Sequence, residues 1–417
     1  MSRYWWLWVF VIALAPRILY LQLAQPQHAG EYWDLSTSLI HQGTLSQSGV
    51  PSTRFEPLYP LFLWASRSIT GDRAVVVQAI QAAVAASGAV WMFLLADTLT
   101  SKRRLAWTAA LIFSAYPLLI RHATAPSESA LTTALLPLFA WLFVRRGGWS
   151  AAAVAGAILG LAILNRSVVL PVLALACASL ARTERRSAAA LAAAALLVVS
   201  PMLVRNYLVG GVLLPSRHGV NLFMGNTRYA AAIMPEHSPD LLQAYAYRVA
   251  FDKAPHLARR SPGIDDQIDA TLAAAAIDEI MSRPLETFIL KLRFVWYFFT
   301  PALVPSRELL PETTIEIMRD GRANVAGAPV RPFAERAVHG LSTLLLLSAA
   351  AIGVGTRWRH LSSDAILWLI LATFVASHAV YFPATRYTAP VVFVLIFYAA
   401  AGLTAGWRRI ASAGDPQ

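Results

Sequence analysis

The sequence predicts an all-α polytopic membrane protein of about ten transmembrane helices, with extracytoplasmic loops and juxtamembrane helices. Three observations carry that expectation. Of 417 residues, 57% are hydrophobic and 14% charged, and the mean hydropathy is +0.52; a soluble domain needs roughly 25% charged residues to cover its surface. The apolar residues come in long blocks, among them Trp5–Leu23, Ala74–Leu99, Ala188–Val204 and Ala389–Trp407. Each is near the ~20 residues that cross a bilayer core. Basic residues fall in short clusters between the blocks, as topology signals do.

The predicted spans are 5–23, 75–97, 105–121, 128–144, 149–165, 167–181, 188–206, 337–355, 364–382 and 389–407. Arg3, Lys102-Arg103-Arg104, Arg145-Arg146, Arg182 with Arg185-Arg186, Arg357 with Arg359, and Arg408-Arg409 then share one side. The positive-inside rule makes that side the cytoplasm. The expectation is a multi-pass protein of the bacterial inner membrane with both termini cytoplasmic and the active face periplasmic. The opposite side receives two long segments, 24–74 and 207–336. The chain thus divides into 1–206 (seven helices and the first outer loop), 207–336 (an extracytoplasmic loop) and 337–417 (three helices and a short tail). Phe288–Pro305 is apolar and aromatic but contains Lys291 and Arg293. A full crossing there would move the last basic clusters outside, so residues 286–304 are expected to form an interfacial or re-entrant helix.

The net charge of +12 is not pooled in a patch or arm, so no nucleic-acid partner is expected. Cys177, the single cysteine, lies inside an apolar block, which excludes an intrachain disulfide or cysteine metal cluster. No small-residue cleavage site precedes Gln25-Pro26, and the first span reads as a retained helix.

The first outer loop carries Glu31 and Asp34 beside Tyr32 and Trp33, then Glu56 ahead of Pro57-Leu-Tyr59-Pro60. A carboxylate at a partly desolvated boundary has a raised pKa and can act as a general base; equally, Glu31 and Asp34 can simply solvate a surface helix. The seventh span ends Arg205-Asn206-Tyr207, followed by Gly219-Val-Asn221 and Gly225-Asn226. Arginine grips phosphate with paired donors, and it also snorkels from helix ends; both readings stand. Glu128, Arg166, and the group His378, Tyr381, Arg386 and Tyr387 occupy outer turns, where ionisable groups near membrane depth mark function. His28, His122, His218 and His378 offer ligands for a possible divalent metal, but no HExxH pattern or close His pair is present. Nucleophilic-serine motifs, P-loops and dinucleotide fingerprints are absent.

The order of these motifs resembles the GT-C glycosyltransferases of the protein O-mannosyltransferase and lipid A aminoarabinose transferase superfamily. The matching features are Glu31-Tyr32, Pro57–Pro60, Ser127-Glu128, an Arg in the 165–167 turn, Pro201–Tyr207, Gly219–Leu222 with Gly225-Asn226, and Arg386-Tyr387 before Pro390. The resemblance spans nearly the whole chain. It implies a GT-C-like bundle that transfers a sugar from a polyprenyl-phosphate donor to an envelope glycan, lipid or protein acceptor. Glu31 or Asp34 would then be the catalytic base. Arg205, with Arg386 or Arg166, would bind the donor phosphate. Glu56, Tyr59, Glu128, Asn206, Asn221, Asn226, His378 and Tyr387 would contact substrate, with Glu56, His28 and His218 as candidates for a metal. One departure stands out: the family's Asp three or four residues before the loop tyrosine is replaced by His28 and Ala29. The alternatives are a non-catalytic subunit of a glycan-assembly complex, which the missing Asp favours, and a lipid or solute transporter, for which the halves show no internal similarity.

Overall fold

The computed structural model describes residues 4–23, 30–215, 217–259, 261–304, 314–318, 322–326 and 333–413. The protein is a polytopic α-helical bundle. Helices Trp5–Leu23, Ala74–Thr100, Gly148–Asn165, Arg185–Gly210, Phe333–Thr356 and the run Thr385–Gly406 are long and apolar enough to cross a membrane. Ser129–Val144, Ser167–Ala181 and Ala365–Val380 are shorter apolar helices. Trp6, Trp8, Leu19, Leu197 and Leu345 point outward from the bundle, the reverse of a water-soluble surface and what lipid would cover.

Backbones approach closely where the sequence places glycine. A Cβ at Gly156 would strike the Leu191 carbonyl, and one at Gly353 would strike the Tyr398 carbonyl. These small residues seat Gly148–Asn165 on Arg185–Gly210 and Phe333–Thr356 on Val392–Ala413, as packing without a hydrophobic driving force between helices requires.

The third expected span is broken in two, Arg103–Ala115 and Pro117–Thr124, with Tyr116 extended at φ −67° and ψ 118°. Proline has no N–H and disfavours helical geometry in the residue before it. The carbonyls of Phe113 and Ser114 thereby lose their helical donors. Arg17, 1% exposed within the first helix, supplies replacements: its Nη1 donates to the oxygens of Ala13 (2.5 Å) and Ser114 (3.2 Å), and its Nη2 to that of Phe113 (3.5 Å). At the opposite end of the bundle Arg357 and the fully buried Asp364 form a two-pronged ion pair at 2.8 and 2.7 Å, to which the Tyr398 hydroxyl adds a bond at 3.2 Å.

The two long connecting segments fold onto one face, here the loop face. The first contains helices Glu31–Gln42 and Leu58–Thr70 around a small hairpin, Ser46–Gln47 with Val50–Pro51. The second contains, among others, His218–Asn226, Gln243–Lys253 and Ile264–Ser282, and has its own core around Phe223, Met224, Leu242, Leu272 and Phe294. The start of helix Ile264–Ser282 joins the two segments: Ser52 Oγ donates to Asp265 (2.6 Å) and Thr53 Oγ1 to Asp266 (2.9 Å), while within the second segment the Val220 N–H donates to Asp269 (2.9 Å). Helix Pro284–Phe299 leans on Ala365–Val380, with Lys291 donating to the Val380 oxygen at 2.9 Å and Phe298 beside His378 at 5.8 Å between ring centroids. The chain then returns to the loop face, where the Thr385 N–H meets the Val304 oxygen at 3.1 Å.

Candidate functional site

Six stretches, each at a helix end on the loop face, meet around a cavity of about 80 Å³. They contribute Tyr32, Glu56, Glu128, the Arg166-Ser167 pair, Pro215 with Arg217, His218 and Asn221, and the Arg386-Tyr387 pair. A second cavity of about 270 Å³ shares Glu56, Arg166, Ser167, His218, Asn221 and Tyr387 with it. Its remaining wall is mostly apolar: Val168, Leu170, Pro171, Leu214 and Phe382, with His378 and Tyr381. A polar hollow therefore adjoins a larger one with an apolar side.

Local structure explains how these side chains are held. The helix Gly148–Asn165 stops where Arg166 turns extended (φ −154°, ψ 112°). The Asn165 amide then bridges to the Glu128 oxygen at 2.6 Å and to Thr132 Oγ1 at 2.7 Å. That bridge fixes the turn bearing Glu128 against the turn bearing Arg166. Ser167 reaches the other way. Its N–H and its hydroxyl both donate to Glu56 Oε1, at 3.0 and 2.8 Å. Tyr387 lies between two guanidinium groups, Arg166 at 4.8 Å and Arg386 at 4.6 Å from its ring centroid, a cation–π arrangement. Arg386 also donates to the Tyr387 hydroxyl at 2.5 Å and pairs with buried Asp240 at 3.1 Å.

The electrostatics keep the ions charged. Burial alone would raise the Glu128 carboxyl, but Arg166 and Arg386 pull it below the usual carboxylate range. Burial works against the charge of Arg217, and Tyr32 and Glu31 outweigh it, leaving its pKa above the ordinary arginine value. Arg217 also lies 5.1 Å from the Phe55 ring centroid. Among the described residues no carboxylate is placed within ion-pairing distance of Arg217.

Eight of the expected residues come together here: Glu56, Glu128, Arg166, His218, Asn221, His378, Arg386 and Tyr387. Six do not line either cavity. Glu31 pairs with Arg54 at 3.0 Å, and Asp34 is exposed on its helix. Arg205 is turned away, donating to the Leu45 oxygen at 2.8 Å and to Asn206 at 3.1 Å. Asn206 donates to Leu213, Asn226 to Leu222 and Val380, and the Tyr59 hydroxyl to Gln81 at 2.7 Å. Arg205, expected to bind a phosphate with Arg386 or Arg166, is thus placed apart from both. The helix Arg185–Gly210 continues past Arg205, which commits that side chain to the first loop. Arg217, twelve residues on, takes the place in the cavity. Sequence reasoning passed over Arg217, Tyr32, Ser167 and Asp240; for Arg217 the available signal was its position just ahead of the Gly219–Asn221 motif.

For a metal, Glu56 and His218 both line the cavities, with His218 Nδ1 3.1 Å from the Tyr381 hydroxyl. His122 is buried elsewhere, and His28 lies outside the described residues. Among the described residues no three His, Cys, Asp or Glu side chains gather as a ligand set, so the donors present do not by themselves make a metal centre.

No family model and no curated protein sequence matches this chain. Solved structures do. A crystal structure of the Archaeoglobus fulgidus oligosaccharyltransferase, tethered to an acceptor peptide containing the NVT sequon, superposes with a TM-score of 0.51 at 15% identity. The likeness covers 99% of this chain and 51% of the other, so this chain spans about half the length of that protein. ArnT from Cupriavidus metallidurans, in the apo state, is similar at a TM-score of 0.42 and 15% identity over 99% of this chain and 80% of its own. The fold is shared with the matched half of the Archaeoglobus fulgidus protein.

Proposed function

We propose that this protein is a membrane glycosyltransferase. It moves a sugar from a polyprenyl-phosphate donor to an envelope glycan, lipid or protein acceptor at the periplasmic face of the bacterial inner membrane. The carrying observation is the pairing of the two cavities, one walled by Arg166, Arg217 and Arg386 and the other apolar along Val168, Leu170 and Pro171. A lipid phosphate needs both environments side by side.

Arg386 pairs with Asp240 and Arg166 works against Glu128. Arg217 lines the same hollow with no carboxylate of the described residues within ion-pairing distance, which makes its guanidinium the one best placed to meet a phosphate. Arg217 and Arg166 would hold the phosphate and stabilise it as it leaves, and Tyr387 would keep Arg166 in place.

The test is native mass spectrometry of the detergent-solubilised protein with polyprenyl monophosphate added. Binding is expected in the wild type. Arg217→Ala should weaken it by about 30-fold or more, since truncating one partner of a desolvated charge pair costs about 2–5 kcal/mol. Equal binding by both proteins, or none by the wild type, refutes the assignment.

A further inference from the structure

Resting on that reading, we propose that Glu56, and not the first-helix carboxylates Glu31 and Asp34, is the base that takes the proton from the acceptor. The geometry separates five candidate carboxylates. Glu31 is spent on Arg54, at 3.0 Å, and Asp34 is exposed; neither lines a cavity. Asp240 is bound to Arg386 at 3.1 Å. Glu128 borders the smaller cavity alone, is 7% exposed, and is the counter-charge of Arg166 and Arg386. A carboxylate held ionic by two guanidinium groups is a poor proton acceptor.

Glu56 differs from all four. It borders both cavities, so it stands where the phosphate-binding hollow meets the larger one. Its Oε1 receives both Ser167 donors, which fixes the plane of the carboxylate. Its Oε2 has no hydrogen-bond partner among the described residues. An oriented carboxylate with one vacant oxygen at the junction is what proton abstraction from a bound hydroxyl or amide requires. In the reaction, the acceptor O–H or N–H loses its proton to Glu56 Oε2 and its heteroatom bonds to the anomeric carbon. The bond from that carbon to the phosphate oxygen breaks with its electron pair, and the polyprenyl phosphate leaves against Arg217 and Arg166. Ser167 is a positioning residue. Because it follows Arg166 directly, one turn sets the phosphate grip and the base relative to each other.

The experiment compares Glu56→Gln, Glu31→Gln and Glu128→Gln in the full-length protein reconstituted in liposomes. Its donor is the polyprenyl-phosphate sugar that co-purifies with the wild type. Glutamine keeps an oxygen for both Ser167 donors, so Glu56→Gln preserves the local geometry. Donor binding is read by native mass spectrometry and sugar release by chromatography across pH 5–8. Glu56→Gln should bind donor within about threefold of wild type and release sugar about 10²–10⁴-fold more slowly, the usual worth of a general base. Glu31→Gln should release sugar within tenfold of wild type. Three results overturn the assignment: sugar release by Glu56→Gln within tenfold of wild type, loss of donor binding together with turnover in that variant, or a larger loss of turnover in Glu31→Gln. A wild type that neither carries nor binds a polyprenyl-phosphate lipid overturns the glycosyltransferase reading itself, and this assignment falls with it.

Discussion

Replacing Arg17 tests whether the break at Tyr116-Pro117 depends on a side chain from another helix. Arg17→Met keeps the length and apolar stem of the side chain but removes the donors that reach the Phe113 and Ser114 oxygens. A buried carbonyl left without a donor costs about 1–3 kcal/mol, so two of them set a gross loss of about 2–6 kcal/mol. Removing a desolvated guanidinium gives part of this back, and a net destabilisation of about 2 kcal/mol is expected. The decisive measurement is a double-mutant cycle with Pro117→Ala, which restores an N–H four residues beyond Phe113 and frees Tyr116 to become helical. With alanine at 117 one orphaned carbonyl regains a backbone donor, so Arg17→Met should cost about 1–2 kcal/mol less than in the parent. Thermal unfolding in a single detergent, followed by tryptophan fluorescence, supplies the four stabilities. If the two changes add within about 0.5 kcal/mol, Arg17 is not capping the break and the account of this helix is wrong.

Two further changes probe the other ionic features. Asp364→Ala strands the Arg357 guanidinium in a buried setting and should lower stability by about 3–5 kcal/mol in the same unfolding assay, with Asp364→Asn milder because it still accepts from Tyr398. On the loop face, burial raises the Asp266 carboxyl, reinforced by Asp265 and Asp269 and opposed by the Thr53 hydrogen bond; burial likewise raises Asp269 against the Gly219 and Val220 N–H groups. A carboxyl whose folded pKa lies above its unfolded value binds protons better when folded, so its contribution is full below the ordinary Asp pKa and is lost as pH rises through the raised one. Hydrogen-exchange protection at residues 46–54, taken relative to the intrinsic exchange rate at each pH, should therefore be greater in acid than at pH 8, and Asp266→Asn should reduce that difference. An unchanged pH dependence in the variant removes the explanation.

The bundle was legible because membrane burial leaves a coarse signal. Every predicted span has a helix at its place, and the apolar block that holds Lys291 and Arg293 also forms a helix, Pro284–Phe299. The break at Tyr116-Pro117 was not anticipated although Pro117 stands in the sequence, because an apolar block reads the same whether its helix is continuous or divided. Arg17 was hidden for a related reason: one arginine barely alters the hydropathy of nineteen residues, and its partners lie 96 and 97 positions away. At the site, motif order located the participating turns, while the roles within them shifted. Spacing cannot reveal that helix Arg185–Gly210 runs on past Arg205 and points that side chain at Leu45, nor that Glu31 finds Arg54. Ser167 carries no pattern of its own, and its importance comes wholly from the carboxylate it meets 111 residues away.

The position of the cavity follows from the cost of charge. Glu56, Glu128, Arg166, Arg217 and Arg386 share one small hollow, a density of ions that hydrocarbon does not tolerate without partners or water. Every one of the five sits in a turn or at a helix end. Helix ends also present unsatisfied N–H and C=O groups, and here they are used: the Ser167 N–H binds Glu56, and the Glu128 carbonyl takes the Asn165 amide. Moving any of these charges one or two turns deeper would add desolvation and remove the backbone partners together. The same boundary suits a substrate with an ionic head and an apolar chain, because its two parts then meet the two kinds of wall without either crossing into the wrong one. The physical constraint on where this chain can keep its charges and the chemical need for an apolar wall beside them select the same place in the fold.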